Sequence, residues 1–168
     1  MVALGGNALL RRGEAPESAI QERHVLAAAK ALAPLAREHR LVLTHGNGPQ
    51  VGLLAMENEN DPALGRPYPF DVLGAQTQGM IGYWLVNALR AAAGLTAACV
   101  LTRTRVRSDD PAFARLTTFV SPEYDEAASR EAATPQDWWG GTARRRDAGG
   151  GSGWPRCATW VLLVVPAT

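Results

Sequence analysis

Cysteine is scarce in this chain. Cys99 and Cys157 are the only two in 168 residues, which excludes a disulfide framework and a thiolate metal cluster. Cys99 sits in an apolar run and reads as a buried thiol. The three histidines, His24, His39 and His45, have no ligand spacing with the cysteines. Charge of one sign is also lacking. The formal net charge is +1, so nothing suggests bulk attraction to nucleic acid or to a membrane surface. Long apolar runs are missing. The stretch Trp160 to Val165 is far short of the ~20 residues that span a bilayer. The apolar N-terminus has no preceding basic region, and Arg11-Arg12 follow it rather than lead it, which argues against a secretory signal. A cytoplasmic location is the default expectation. Lysine is nearly absent, with Lys30 the sole example among 17 basic residues. It falls in an expected helix and reads as a solvated helix lysine. The familiar nucleotide fingerprints are missing too: there is no G-x-x-x-x-G-K-[ST], and no G-x-G-x-x-G follows the first strand.

What is present is a 46% hydrophobic, 20% charged composition, typical of a globular domain with a real core. Two glycine-rich turns stand out, each where a short apolar strand meets a helix. The first lies in Val2-Ala3-Leu4-Gly5-Gly6-Asn7-Ala8-Leu9-Leu10, the second in Leu41-Val42-Leu43-Thr44-His45-Gly46-Asn47-Gly48-Pro49-Gln50. Glycine lets backbone N–H groups converge without an obstructing Cβ. A helix N-terminus adds unpaired N–H donors and a positive dipole end. Together they suit an anion, either phosphate or carboxylate. Pro49 directly after Gly48 supports a helix start there, since proline fits the first helical turn. As bare patterns the two turns have an equally ordinary reading as tight turns.

Strands are expected at residues 2–4, 41–44 and 97–101. Helices are expected at 18–40, from Pro49 to about Asn58, and from a cap at Asp71 to about Ala93. Ser18 with Gln21 has the spacing of a capping box. Val25, Ala29, Leu32 and Ala36 form its apolar stripe, and Pro34 should kink or split that helix. Gly94 is a plausible stop for the last helix. Gly74, Gly79 and Gly82 inside it suggest close backbone approach, against this chain or a partner subunit. The alternating Arg103, Arg105 and Arg107 suit an extended segment, and Ser121-Pro122-Glu123 should open a further helix to about Ala133. Consecutive strand–helix units with right-handed crossovers put both glycine turns at one edge of a mainly parallel sheet.

VALGGNALL, THGNGPQVGLL, YPFDVLGAQTQGMIGYWL and the DDPAF segment at Asp109 to Phe113 together resemble the carbamate kinases, of the amino acid kinase family. The resemblance runs from Val2 to about residue 130. It implies an α/β fold, a three-layer αβα sandwich, truncated here to the N-terminal part. It implies reversible phosphoryl transfer between ATP and carbamate, with ATP/ADP and Mg2+, in the carbamoyl phosphate and arginine catabolism of a homodimeric cytoplasmic enzyme. Gly5, Gly6 and Asn7 match the family's phosphate-facing loop, and Gly46, Asn47 and Gly48 match the loop that holds carbamate or the carbamoyl end. His45, beside it, is expected to be hydrogen-bonded within the structure rather than catalytic. Where the family carries a substrate lysine this chain has Thr118, so the catalytic group is unknown, and Arg103 stands where glutamine is common. No metal ligands are identified.

Residues 1–135 are therefore read as an incomplete acceptor-binding lobe, and 136–168 as an atypical tail. The tail holds four of the five tryptophans, several glycines and Arg144-Arg145-Arg146. Such a composition suits single-stranded nucleic acid, a disordered tail, or an out-of-frame reading of a GC-rich gene, the last fitting best. The family's nucleotide lobe is expected to be missing. Three functional readings stand: a carbamate kinase, impaired or inactive as this chain; a family member with another carboxylate or phosphate acceptor; and a non-catalytic acceptor-lobe fragment.

Overall fold

The computed structural model describes residues 1–11, 13–103, 105, 107 and 109, together with the strand residues 118–119, 153–154 and 161–165. The chain divides into two units. One comprises residues 1–103 and 158–168, the other residues 104–157.

The first unit is built on a four-stranded sheet. β1 (Val2–Leu4) runs parallel to β2 (Leu41–His45), pairing Val2 with Leu43 and Leu4 with His45. The parallel pair requires a crossover, and α1 (Gly6–Leu9) and α2 (Ser18–Glu38) supply it. β3 (Ala98–Val100) forms the far edge. In the second unit, β4 (Thr118–Phe119) and β5 (Gly153–Trp154) pair antiparallel. Between β2 and β3 of the first unit lies β6 (Val161–Val165), antiparallel to both. Strand β6 was not foreseen. It comes from the stretch that composition set apart, and its unbroken Val-Leu-Leu-Val-Val run suits a strand with neighbours on both sides. The helix expected over Ser121–Ala133 falls outside the described residues.

Helices α2 and α4 (Phe70–Ala93) pack on the sheet and enclose the core. Val25, Ala29, Leu32 and Ala36 of α2 meet Ile81, Leu85, Ala88 and Leu89 of α4, over Leu41 and Leu43 of β2. The stripe read from α2 is thus its buried face. Pro34 does not split α2, which runs unbroken to Glu38. Pro34 is exposed, as is Lys30 one turn earlier, so the carbonyl that loses its partner faces water rather than the core. The capping box does not form. Glu17 is the N-cap, without a side-chain cap bond, and Gln21 is engaged elsewhere. Asp71 likewise lies in the first turn of α4 rather than at its cap, which is Pro69. Gly94 ends α4 in the left-handed conformation (φ 67°), its N–H bonded to the Arg90 carbonyl. α3 (Gly48–Asn60) runs from the second glycine turn and packs against α4.

Leu85 has no exposed surface at the centre of the α4 contact. Leu85→Ala should therefore destabilise the first unit by about 2–5 kcal/mol, while Lys30→Ala should change it by less than about 0.5 kcal/mol. Urea denaturation followed by circular dichroism measures both.

Candidate anion-binding site

The parallel pairing of β1 and β2 decides where the two glycine turns go. Leu4 and His45 are register partners at the strand ends, so both turns leave the sheet at the same edge, as the connectivity requires. The ladder then extends one step. The Gly46 N–H donates to the Leu4 carbonyl at 3.0 Å. The turns are in direct contact. A Cβ on Gly6 would lie 3.1 Å from Cδ of Pro49 and 4.0 Å from the Gly48 nitrogen. A side chain at residue 6 would therefore require the Pro49 ring to shift. Gly5 and Gly48 differ. A Cβ on either would meet nothing within 4 Å, and both residues are exposed. Their missing side chains leave room beside the backbone, where a ligand can approach.

The donors in this space are backbone amides. Gly6 and Asn7 open α1, and Gly48 opens the 13-residue helix α3 with Pro49 behind it. The first N–H groups of a helix have no intrahelical acceptor. The longer α3 also brings the positive end of its dipole to Gly48. Asn7 is exposed at the same edge, so its side-chain amide can add a donor.

Two residues of the expected acceptor loop spend polar groups on the protein itself. Asn47 is buried, and its side chain turns into the protein. Its Nδ2 donates to Oγ1 of Thr77 at 2.7 Å, and the Thr77 hydroxyl lies within hydrogen-bond distance of the Leu73 and Gly74 carbonyls. Asn47 thus ties the second turn to α4 and can offer a ligand only its backbone. Gly46 spends its N–H on the β1 ladder, which leaves its carbonyl and its lack of bulk. That carbonyl receives His45 Nδ1 at 3.1 Å. His45 has no exposed surface, and its Nε2 has no hydrogen-bond partner. Burial pushes its pKa below the usual imidazole value, more than the Gly46 carbonyl raises it, which favours the neutral ring. The expectation of a hydrogen-bonded rather than catalytic histidine agrees with this geometry.

A second brace was not anticipated. Gln50, in the first turn of α3, donates from Nε2 to Oε1 of Gln21 at 2.9 Å, and Gln21 donates from Nε2 to the Pro16 carbonyl at 3.1 Å. Both glutamines are buried. The chain of bonds joins the start of α3 to the segment that follows α1. The signal lay in the sequence: Gln21 extends the α2 stripe Val25, Ala29, Leu32 and Ala36 by four residues, and Thr77 falls between Leu73 and Ile81 on α4. A polar residue on an apolar stripe needs a partner.

Thr118 lies in the second unit, in the β4–β5 ladder opposite Trp154. Arg103 is exposed in the first unit. Among the described residues no group of three or more His, Cys, Asp or Glu is placed to hold a metal ion.

A parallel strand pair that brings two glycine turns together at helix starts defines an α/β lobe with a candidate anion site. Comparison with known proteins gives it a family. The chain is 44% identical over 140 residues to the carbamate kinase of Rhizobium meliloti strain 1021, covering 82% of this chain and 43% of that protein. It is 51% identical over 136 residues to the carbamate kinase of Escherichia coli K12, covering 79% and 46%. Among solved structures, the Giardia lamblia carbamate kinase bound to citric acid superposes with a TM-score of 0.75 at 31% identity, over 92% of this chain and 52% of that one. No family model matches. The chain is a partial homologue of the carbamate kinases and has their amino acid kinase fold. It spans a little under half the length of the curated relatives it matches.

The contrast between the glycines gives a test. Gly48→Ala should leave thermal stability nearly unchanged, because its Cβ enters open space, yet weaken binding of a small anion such as inorganic phosphate at the candidate site about tenfold by occupying that space. Gly6→Ala should lower the melting temperature, because Pro49 has to move. Calorimetry on the two variants separates the effects.

Proposed function

We propose that this chain carries the acceptor side of a carbamate kinase reaction. In that reaction a carbamate oxygen attacks the γ-phosphorus of ATP. The bond from that phosphorus to the bridging oxygen breaks, and ADP and carbamoyl phosphate result. The reverse direction makes ATP from carbamoyl phosphate, and we place it in arginine catabolism in the cytoplasm. The observation that carries the reading is the contact between the two turns. It brings Gly6 against Pro49 and Gly48 at the start of α3, which supports a shared site for the amides of Gly6, Asn7, Asn47 and Gly48. Phosphoryl transfer depends mostly on holding two anions in line and offsetting charge. One turn would hold the carbamoyl end and the other the phosphoryl group. Carbamate is small, planar and anionic, and backbone donors at a helix start suit it. ATP with Mg2+ supplies the phosphoryl donor in this reading. The described residues offer no metal cluster, so none of the steps assigned to these residues runs through the ion.

The 168-residue chain alone should bind but not turn over. Thr118, a neutral hydroxyl, stands where the resemblance expects a substrate lysine, and Lys30 lies on the exposed face of α2. Each missing charged contact costs about 2–4 kcal/mol of transition-state stabilisation. Isothermal titration should detect carbamoyl phosphate binding. A luciferase-coupled assay with carbamoyl phosphate and ADP should give no ATP above background. Turnover near about one per second, within the ordinary range for enzymes, would contradict the assignment, and absence of any binding would contradict the acceptor site.

We also propose a homodimer that uses the outer face of α4. Val72, Met80 and Tyr83 are exposed along it, and Gly79 lies half-buried among them with nothing within 4 Å of its Cβ position. The close approach expected at Gly79 is therefore not made by the described residues. Gly79→Leu should leave the monomer fold intact and shift sedimentation toward monomer. An unchanged dimer would contradict this interface.

A further inference from the structure

The second turn is fixed by side chains that make no use of their own chemistry, and the position of His45 among them has a directional consequence. A trans peptide unit is planar, and its C=O and N–H point in opposite directions. The Gly46 carbonyl and the Asn47 N–H belong to one such unit. His45 is wholly buried, and its Nδ1 holds that carbonyl at 3.1 Å. The carbonyl is therefore drawn toward the protein interior. The Asn47 N–H then points away from His45, and the next residue, Gly48, is exposed with open space beside it. Asn47 cannot rotate freely in response, because its side chain is anchored to Thr77. Neither can Gly46, because its N–H is bound to Leu4. Without the histidine bond, the 46–47 peptide could flip and present a carbonyl to an incoming anion. That would replace attraction by repulsion.

We propose that His45 is a positioning residue for anion binding: as its neutral Nδ1–H tautomer it holds the Gly46 carbonyl inward and so turns the Asn47 N–H toward the ligand. This rests on the acceptor-site reading above and adds to it the residue that orients the donor. The unpartnered Nε2 fits the same picture. Donation from Nδ1 leaves Nε2 as a bare acceptor. Burial disfavours the doubly protonated ring, and the Gly46 carbonyl, which can only accept, selects the Nδ1–H tautomer.

The test uses three variants of the 168-residue chain and carbamoyl phosphate as the probe. In His45→Asn the amide nitrogen takes the place of Nδ1. In His45→Gln it takes the place of Nε2, and His45→Leu has no donor. Folding is checked by circular dichroism, and any change in stability is measured separately. His45→Asn should bind within about threefold of the wild type, whereas His45→Leu and His45→Gln should bind about tenfold or more weakly, the scale of one lost hydrogen bond. Equal affinity of folded His45→Leu and wild type would overturn the proposal. Nitrogen-15 NMR of the wild-type imidazole supplies a readout independent of ligand. A protonated Nδ1 with unprotonated Nε2 supports the assignment, and the opposite tautomer overturns it. Should the wild type fail to bind the probe, the acceptor-site reading fails, while the tautomer still decides whether His45 holds the Gly46 carbonyl.

Discussion

The parallel pairing of β1 with β2 is the constraint on which the rest of the site depends. Once Leu4 and His45 are register partners, two turns separated by about forty residues of chain leave the sheet side by side. The Gly46–Leu4 hydrogen bond closes the pair at its end. The core secures the arrangement from behind. Leu41 and Leu43 present one face of β2 to α2 and α4, and a slip of one residue would turn that face to solvent. The ordinary hydrophobic fit of α2 and α4 thus fixes the placement of the backbone amides.

Around the turns, the polar side chains act on the backbone more than on solvent. Asn47 reaches Thr77, Gln50 reaches Gln21, and His45 reaches Gly46. Each bond holds one piece of a loop that would otherwise be flexible. Their burial makes them strong, because an unsatisfied donor inside the protein is costly. The site is a set of amide dipoles held in place before any ligand arrives. That organisation is what positioning and charge stabilisation would require under the proposed phosphoryl-transfer role.

Much of this was legible in the sequence. The strand–glycine–helix pattern located both turns, Pro49 marked the start of α3, and the α2 stripe Val25–Ala36 gave the core face. The left-handed stop at Gly94 followed from its place after the last apolar turn. Other features depend on tertiary contacts that no local pattern contains. Ser18 and Gln21 have capping-box spacing, but Gln21 is drawn to Gln50 and Pro16 instead. Asn47 matches the acceptor loop by resemblance, which says nothing of its side chain; the nearness of α4 turns that side chain to Thr77. Pro34 should break a helix in isolation, and it does not because packing on both sides of it holds α2 together. β6 was hidden because a short apolar run carries no periodicity to distinguish it from a tail.

The central claim is that the amides of the two turns form one anion site. An amide NMR titration of the chain with carbamoyl phosphate tests it most directly. The account predicts shifts concentrated at Gly6, Asn7, Asn47 and Gly48, all following one binding curve. Shifts at one turn alone, or separate curves for the two turns, would contradict a shared site.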